Sequence, residues 1–201
     1  MKNHMKKILL ASSSPRRQEI LKNLHIPFQI MSPDCDETYP KEITGTKIPV
    51  HLAEKKILAI LEKKPGTQDC ILAADTVVLL GGRKLGKPAN RDEAFSFLKS
   101  MQGTSHVVAT GIAFYDPESG TTESRCAQTE VFFKPLSDKE INWYLDTDEW
   151  EDAAGGYKIQ GRGAFFVTKI MGNYSNVVGL PISELYDILL SHGFMSEAVP
   201  L

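Results

Sequence analysis

Arg16 and Arg17 follow Ser12-Ser13-Ser14-Pro15, where the chain has the signature of a helix start, with Ser14 at the N-cap and proline in the first helical position. Two cations in a first turn face the positive end of the helix dipole, at a cost of about 0.3–1 kcal/mol each where exposed. A bound anion reverses that sign. A strand, a short Ser-rich turn and a helix N-terminus form a natural phosphate site, here with two guanidiniums available for bidentate contacts. The other reading is two solvated arginines on a surface helix. Asp75-Thr76 is the second odd feature, the only polar pair in the apolar run from Ile71 to Leu80. A carboxylate in a strand buried on both faces must meet a metal, a cation or hydrogen-bond donors, or lie at an exposed strand end. A pocket edge meets that demand, and so does a structural bulge.

Other candidates are weaker one by one. Asp36-Glu37 in a loop, Lys56 on a helix and Lys87 in Gly86-Lys87-Pro88 each read, singly, as solvated surface charge. The stretch from Gly155 to Gly163 includes Lys158 and Gln160 among four glycines, which let backbone approach a ligand closely or leave a loop flexible. It matches neither the P-loop nor the dinucleotide fingerprint.

The elements that must position these residues alternate in type. Lys7 to Ala11 reads as a short buried strand, followed by a helix from Ser14-Pro15 with Ile20, Leu21 and Leu24 on its apolar face. Phe28 to Met31 is a second strand, and a helix from about Val50 to Lys64 carries the stripe Val50, Ala53, Ile57, Leu61. Ile71 to Leu80 is a strand, and Gly81-Gly82 folds Arg83 to Leu85 back on it as a hairpin. Asn90 with Glu93, and Ser137 with Glu140, stand at capping-box spacing at two further helix starts. Ser105 to Tyr115 and Thr122 to Phe133 flank the turn Asp116 to Gly120 as a long antiparallel pair. A strand from Ala164 to Ile170 and a helix from about Ile182 to Ser191 complete an α/β pattern with a mixed sheet.

Composition limits the function classes. At 201 residues the chain makes one domain. A hydrophobic fraction of 42% fits neither disorder nor a membrane protein. The net charge of -2 cannot supply the basic field of a nucleic-acid surface, yet leaves room for a local cationic pocket. Cys35, Cys70 and Cys126 form no C-x-x-C pair, and the apolar run after the basic N-terminus spans only Ile8 to Ala11. Both features predict a cytoplasmic protein without an export signal, free of any membrane association.

Together these pieces resemble the Maf family of nucleoside triphosphate pyrophosphatases, over about Lys6 to Phe194, with 195–201 as a tail beyond it. The resemblance is carried by Ala11-Ser12-Ser13-Ser14-Pro15-Arg16-Arg17, Asp36-Glu37, Ala53 with Lys56, Ala74-Asp75-Thr76-Val77-Val78, Gly86-Lys87-Pro88, Ile159-Gln160-Gly161 and Asn176-Val177-Val178-Gly179-Leu180-Pro181. It implies an elongated, two-lobed α/β fold of mixed sheet and flanking helices, related to the inosine triphosphate pyrophosphatases, with the active site in the cleft. It also implies a divalent metal, Mg²⁺ or Mn²⁺, a small-molecule nucleotide substrate and, in many members, a homodimer. The family cleaves a nucleoside triphosphate between its α and β phosphates.

By that resemblance Ser12, Arg16, Arg17, Lys56 and Lys87 bind phosphate, Glu37 and Asp75 hold the metal, and Asp75 is the proton acceptor, with Glu37 sharing the base role. A triphosphate carries about four negative charges, so several cations and a metal suit it. The pyrimidine branch, active on dTTP and UTP, carries Arg, Thr and Gln at three positions that are Arg16, Thr76 and Gln160 here. A Gln amide can donate to O4 of uracil or thymine and accept from its N3–H, whereas a carboxylate only accepts. One departure stands out: many relatives have a lysine where this chain has Ala153, and Lys158 is the candidate replacement cation. The alternatives are a nucleotide-binding regulator of septum formation without catalysis, and a purine enzyme acting on inosine or xanthosine triphosphate.

Overall fold

A computed structural model describes residues 7–194; the expectations for the basic N-terminus up to Lys6 and for the 195–201 tail lie outside the described residues. One mixed sheet organises the chain. Strands β1 (Ile8–Leu10), β2 (Phe28–Ile30) and β3 (Cys70–Leu80) are mutually parallel, with β1 in the middle. Strand β4 (Arg83–Leu85) folds back on β3, and β5 (Ser105–Asp116), β6 (Thr121–Phe133) and β7 (Val167–Met171) extend the sheet antiparallel. The order is β2-β1-β3-β5-β6-β7, with β4 on β3. This is the mixed α/β sheet that the alternation of elements predicts.

The helices are α1 (Pro15–Asn23), α2 (Lys47–Lys63), α3 (Arg91–Met101), α4 (Asp138–Leu145), α5 (Tyr174–Val178) and α6 (Ile182–Ser191). From β1 to β2 the chain moves one way along the sheet, and from β2 to β3 it moves back. Right-handed crossovers therefore send α1 and α2 to opposite faces. The core agrees. Ile20 and Leu21 of α1 share a buried cluster with residues of α3, α4 and α6, whereas α2 packs Ala53, Ile57 and Ile60 against Leu9, Ile71 and Ala73 on the other face. Strand β3 is sandwiched between them, with Leu72, Ala74 and Val78 facing one side and Ile71, Ala73 and Val77 the other. In open sheets of this kind ligands bind beyond the carboxyl ends of the parallel strands where the winding reverses, here between the ends of β1 and β3.

Several local expectations shift. Helix α2 begins at Lys47, with Pro49 inside its first turn, and its buried stripe is Ile48, Leu52, Ala53, Lys56, Ile57 and Ile60, leaving Val50 and Leu61 half-buried. Leu24 is the C-cap of α1 and is exposed rather than on the apolar face. Residues Arg162–Phe166 form a 3₁₀ turn that buries Phe166, so the last strand starts at Val167. Ser137 and Glu140 close a full capping box. Asn90 Oδ1 accepts from the Glu93 N–H at 2.9 Å, but Glu93 turns to the Ala89 N–H at 2.7 Å instead of closing the box. Among the described residues no helix is long and apolar enough to cross a membrane.

Candidate active site

Strand β3 has β5 along one side, but among the described residues its other side is paired only at its ends, with β1 over Cys70–Leu72 and with β4 over Val78–Leu80. Between them, Ala73 to Val77 leave a gap in the sheet. A cavity of about 480 Å³ opens there, and its walls include nine of the residues that the sequence selects: Ser12, Arg16, Arg17, Glu37, Lys56, Asp75, Thr76, Lys87 and Gln160, whereas Asp36 is not among them and instead accepts from the Thr38 N–H at 3.0 Å and lies 3.7 Å from Lys55 Nζ. The nine come from six separate segments. The gap explains why a polar pair interrupts an apolar strand: adjacent residues point to opposite faces, yet at an open edge both can border one cavity.

Asp75 points toward α2. Lys56 lies on the buried stripe of that helix, and its Nζ meets Asp75 Oδ1 at 2.5 Å and Glu37 Oε1 at 3.1 Å. Lys56 and Asp75 are 6% and 7% exposed, so this pair has lost nearly all its water. A buried ion pair seldom adds net stability over an apolar pair of the same shape. Its charges therefore call for another reason. Gly111 sets the approach: it stands opposite Asp75 in register, and a Cβ there would lie 2.3 Å from the Pro49 carbonyl carbon and the Val50 nitrogen. Only glycine lets α2 lie close enough for Lys56 to reach the strand. Burial alone would raise the Glu37 carboxyl, but the positive charges of Lys56, Lys87 and Lys84 outweigh it and hold that carboxyl below its ordinary range.

Thr76 points to the α1 face. Arg17 Nη2 donates to Thr76 Oγ1 at 3.1 Å, Nη1 to Ser12 Oγ at 3.2 Å and Nε to the Gly179 carbonyl at 2.7 Å. The two arginines thus differ, against the expectation of a matched pair of phosphate forks. Among the described residues three of the five Arg17 N–H groups bond protein, whereas Arg16 makes one long bond, 3.5 Å to the Asp152 carbonyl. Burial lowers the pKa of both guanidiniums, with the Asp75 charge opposing it at Arg17 and the Asp152 charge at Arg16; arginine remains cationic at neutral pH nonetheless. Thr76 Oγ1 also lies 3.0 Å from Thr110 Oγ1, its cross-strand partner, which donates to the Asn176 carbonyl at 3.0 Å. Ser14 caps α1 without its side chain; its N–H donates instead to Ser12 Oγ at 3.2 Å.

The glycine-rich loop closes the cavity. Its glycines serve packing rather than mobility. Gly155, at φ +71°, brings the loop so near β3 that a Cβ would meet Val78 at 3.0 Å, and its N–H donates to the Gly86 carbonyl at 2.9 Å. Tyr157 is anchored by a 2.8 Å bond between its hydroxyl and His106 Nε2. Burial raises the tyrosine pKa and lowers that of His106 to about 4, so both are neutral at pH 7. Lys158, Gln160 and the departing Ala153 all line the cavity, and Lys87 Nζ lies 3.6 Å from Asp152 Oδ1. Lys84 is a lining residue that sequence reasoning missed; in a hairpin strand it looks like any solvated lysine. Helix α5, which places Asn176, is five residues long and too short to show a period.

Glu37 and Asp75 converge on a single ammonium, and Lys56 engages only Oδ1 of Asp75 among the described residues. Two carboxylates supplemented by phosphate oxygens and water are the ligand set that Mg²⁺ favours. Among the described residues no three His, Cys, Asp or Glu side chains cluster to hold a metal alone. The donor set therefore fits a metal that arrives with a phosphate ligand rather than a closed protein cage.

A family model described as "Maf-like protein" matches residues 7–192. The chain belongs to the Maf-like protein family. It is 45% identical over 189 residues to a dTTP/UTP pyrophosphatase of Desulforamulus reducens, covering 94% of this chain and 98% of that one. A protein of the same name from Pelotomaculum thermopropionicum is 44% identical, with the same coverage, and one from Treponema denticola is 44% identical over 92% of this chain and 96% of its own. Among solved structures, the Staphylococcus aureus Ham1 protein is similar over 64% of this chain and 72% of its own, with 15% identity and a TM-score of 0.41. That score lies below 0.5, so the fold described above rests on the chain's own sheet order.

Proposed function

We propose that this protein is a nucleoside triphosphate pyrophosphatase that hydrolyses dTTP and UTP to the monophosphate and pyrophosphate. The observation that carries the reading is the convergence of nine sequence-selected residues from six segments on one cavity, in a chain whose curated relatives are named for this activity. Asp75 takes a proton from the attacking water. Its Oδ1 is held by Lys56, so Oδ2 is the oxygen that receives it. The water oxygen bonds to the α-phosphorus, the bond to the α–β bridging oxygen breaks, and pyrophosphate leaves with the electron pair. Arg16 and Lys87 offer N–H donors to the phosphates, and Arg17 fixes Ser12 and Thr76 while two of its five N–H groups bond none of the described residues and can turn to the ligand. Glu37, together with Asp75, would hold a divalent metal, which would supply charge neutralisation at the phosphates.

Gln160, exposed on the cavity wall, reads the pyrimidine by one donor and one acceptor. Lys158 supplies the cation that many relatives carry where Ala153 stands; Lys158→Ala is expected to raise the Michaelis constant, and unchanged kinetics refute this role. The reading places the enzyme in the cytoplasm, which suits cysteines that form no disulfide among the described residues, and a homodimer is the assembly that many members of the family would lead one to test. Release of pyrophosphate from a panel of nucleotides with Mg²⁺ tests it. A non-catalytic regulator releases none, and a purine enzyme prefers inosine or xanthosine triphosphate.

A further inference from the structure

Lys84 is a lining cation that the sequence does not select. Pairing of β4 with β3 sets it opposite Leu79, so alternation from Asp75 through Val77 to Leu79 puts its side chain on the same face of the sheet as Asp75. Its Nζ stands 4.7 Å from the centre of the Tyr39 ring. Tyr39 lies two residues beyond Glu37 and packs against the cluster of Leu52, Val77 and Leu79, so the ring is a fixed platform. An aromatic face attracts an ammonium but brings no counter-charge. Lys56 is met by two carboxylates and Lys87 by one. Among the described residues no carboxylate oxygen lies within 4.0 Å of Lys84 Nζ, and the ring is its partner. It nevertheless lines the same cavity as Glu37 and Asp75.

We propose that Lys84, held on the Tyr39 ring, binds the β- and γ-phosphates of the substrate and hence the departing pyrophosphate. This deepens the pyrophosphatase reading and rests on it. With the α-phosphate against Asp75, a cation on the same face that lines the cavity with Glu37 meets the part of the chain that carries away the negative charge. Lys84 donates hydrogen bonds to phosphate oxygens and transfers no proton. Its place on a hairpin strand, away from Gln160 in sequence and element, sets it apart from the residues proposed to read the base.

The test compares inhibition of UTP hydrolysis by pyrophosphate and by UMP in the full chain. Lys84→Met keeps the apolar stem on Tyr39 and removes the charge. It is expected to weaken pyrophosphate inhibition about tenfold and to raise the Michaelis constant for UTP, with UMP inhibition changed less than about twofold. Lys84→Arg, which keeps both charge and ring contact, is expected to restore most of the loss, and Tyr39→Leu to show a smaller loss of the same kind. Pyrophosphate inhibition of Lys84→Met equal to wild type, or an equal loss for pyrophosphate and UMP, overturns the proposal while leaving the parent reading intact. Absence of pyrophosphate release by the wild-type protein overturns both.

Discussion

Replacing Asp75 with asparagine removes the proposed base while keeping the side chain's shape, and the structure sets the size of both consequences. Removing one member of a buried ion pair costs about 3–5 kcal/mol when the other is left uncompensated. Lys56 would not be left so, because Glu37 Oε1 remains at 3.1 Å and the asparagine oxygen can still accept a hydrogen bond. The expected loss is therefore about 1–2 kcal/mol, a fall of roughly 2–8 °C in melting temperature for a chain of this length. The chemical effect is larger. General-base catalysis contributes about 10²–10⁴-fold, or some 3–5 kcal/mol of barrier. Steady-state release of pyrophosphate from UTP by Asp75→Asn should fall by that factor in kcat, from a protein that thermal melting shows to be folded. A folded variant with kcat within about threefold of wild type would refute the assignment of Asp75 as base.

Other consequences are as definite. Gln160→Glu should abolish UTP turnover by presenting two acceptors to a base that needs a donor at O4; undiminished UTP turnover removes Gln160 as the reader. Gly111→Ala forces a methyl group against backbone at 2.3 Å, and overpacking that a backbone cannot relieve costs about 3 kcal/mol. Its melting temperature should drop by about 6–12 °C, and a wild-type melt contradicts the close approach of α2. His106 is neutral when folded, its pKa lowered from 6.5 to about 4 by burial. Its contribution is thus complete above the unfolded value and is lost as pH falls from there toward the folded value. It amounts to about 2 kcal/mol by about pH 5. Urea unfolding at about pH 7.5 and about pH 5 should show this loss in the wild type and a flatter dependence in His106→Gln; identical slopes contradict it.

The sequence made the long elements legible because they repeat a physical signal over many residues. Strand β3 reads as buried on both faces, and Gly81-Gly82 marks its hairpin. What escaped it was short or depended on tertiary contact. Pro49 reads as a loop residue until the first turn of α2 absorbs it, and Ala164 to Phe166 reads as strand because a 3₁₀ turn that buries Phe166 has the same apolar composition. The site shows the same division. Asp75 was visible as a carboxylate in the wrong surroundings. Glu37, Lys56 and Lys87 carry no local signal and were found through motif order; Lys84 lay outside every motif. The unequal engagement of Arg16 and Arg17 could not be read from spacing, because the Gly179 carbonyl that claims Arg17 lies 162 residues away in the chain.

The central claim is that the cavity hydrolyses pyrimidine nucleoside triphosphates at the α–β bond. The most direct measurement is product analysis of dTTP, UTP, CTP, ITP, XTP and 7-methyl-GTP incubated with the protein and Mg²⁺. The account predicts the monophosphate and pyrophosphate in equal amounts, with dTTP and UTP turned over fastest. Orthophosphate with a nucleoside diphosphate, a preference for ITP or XTP, or no turnover at all would contradict it.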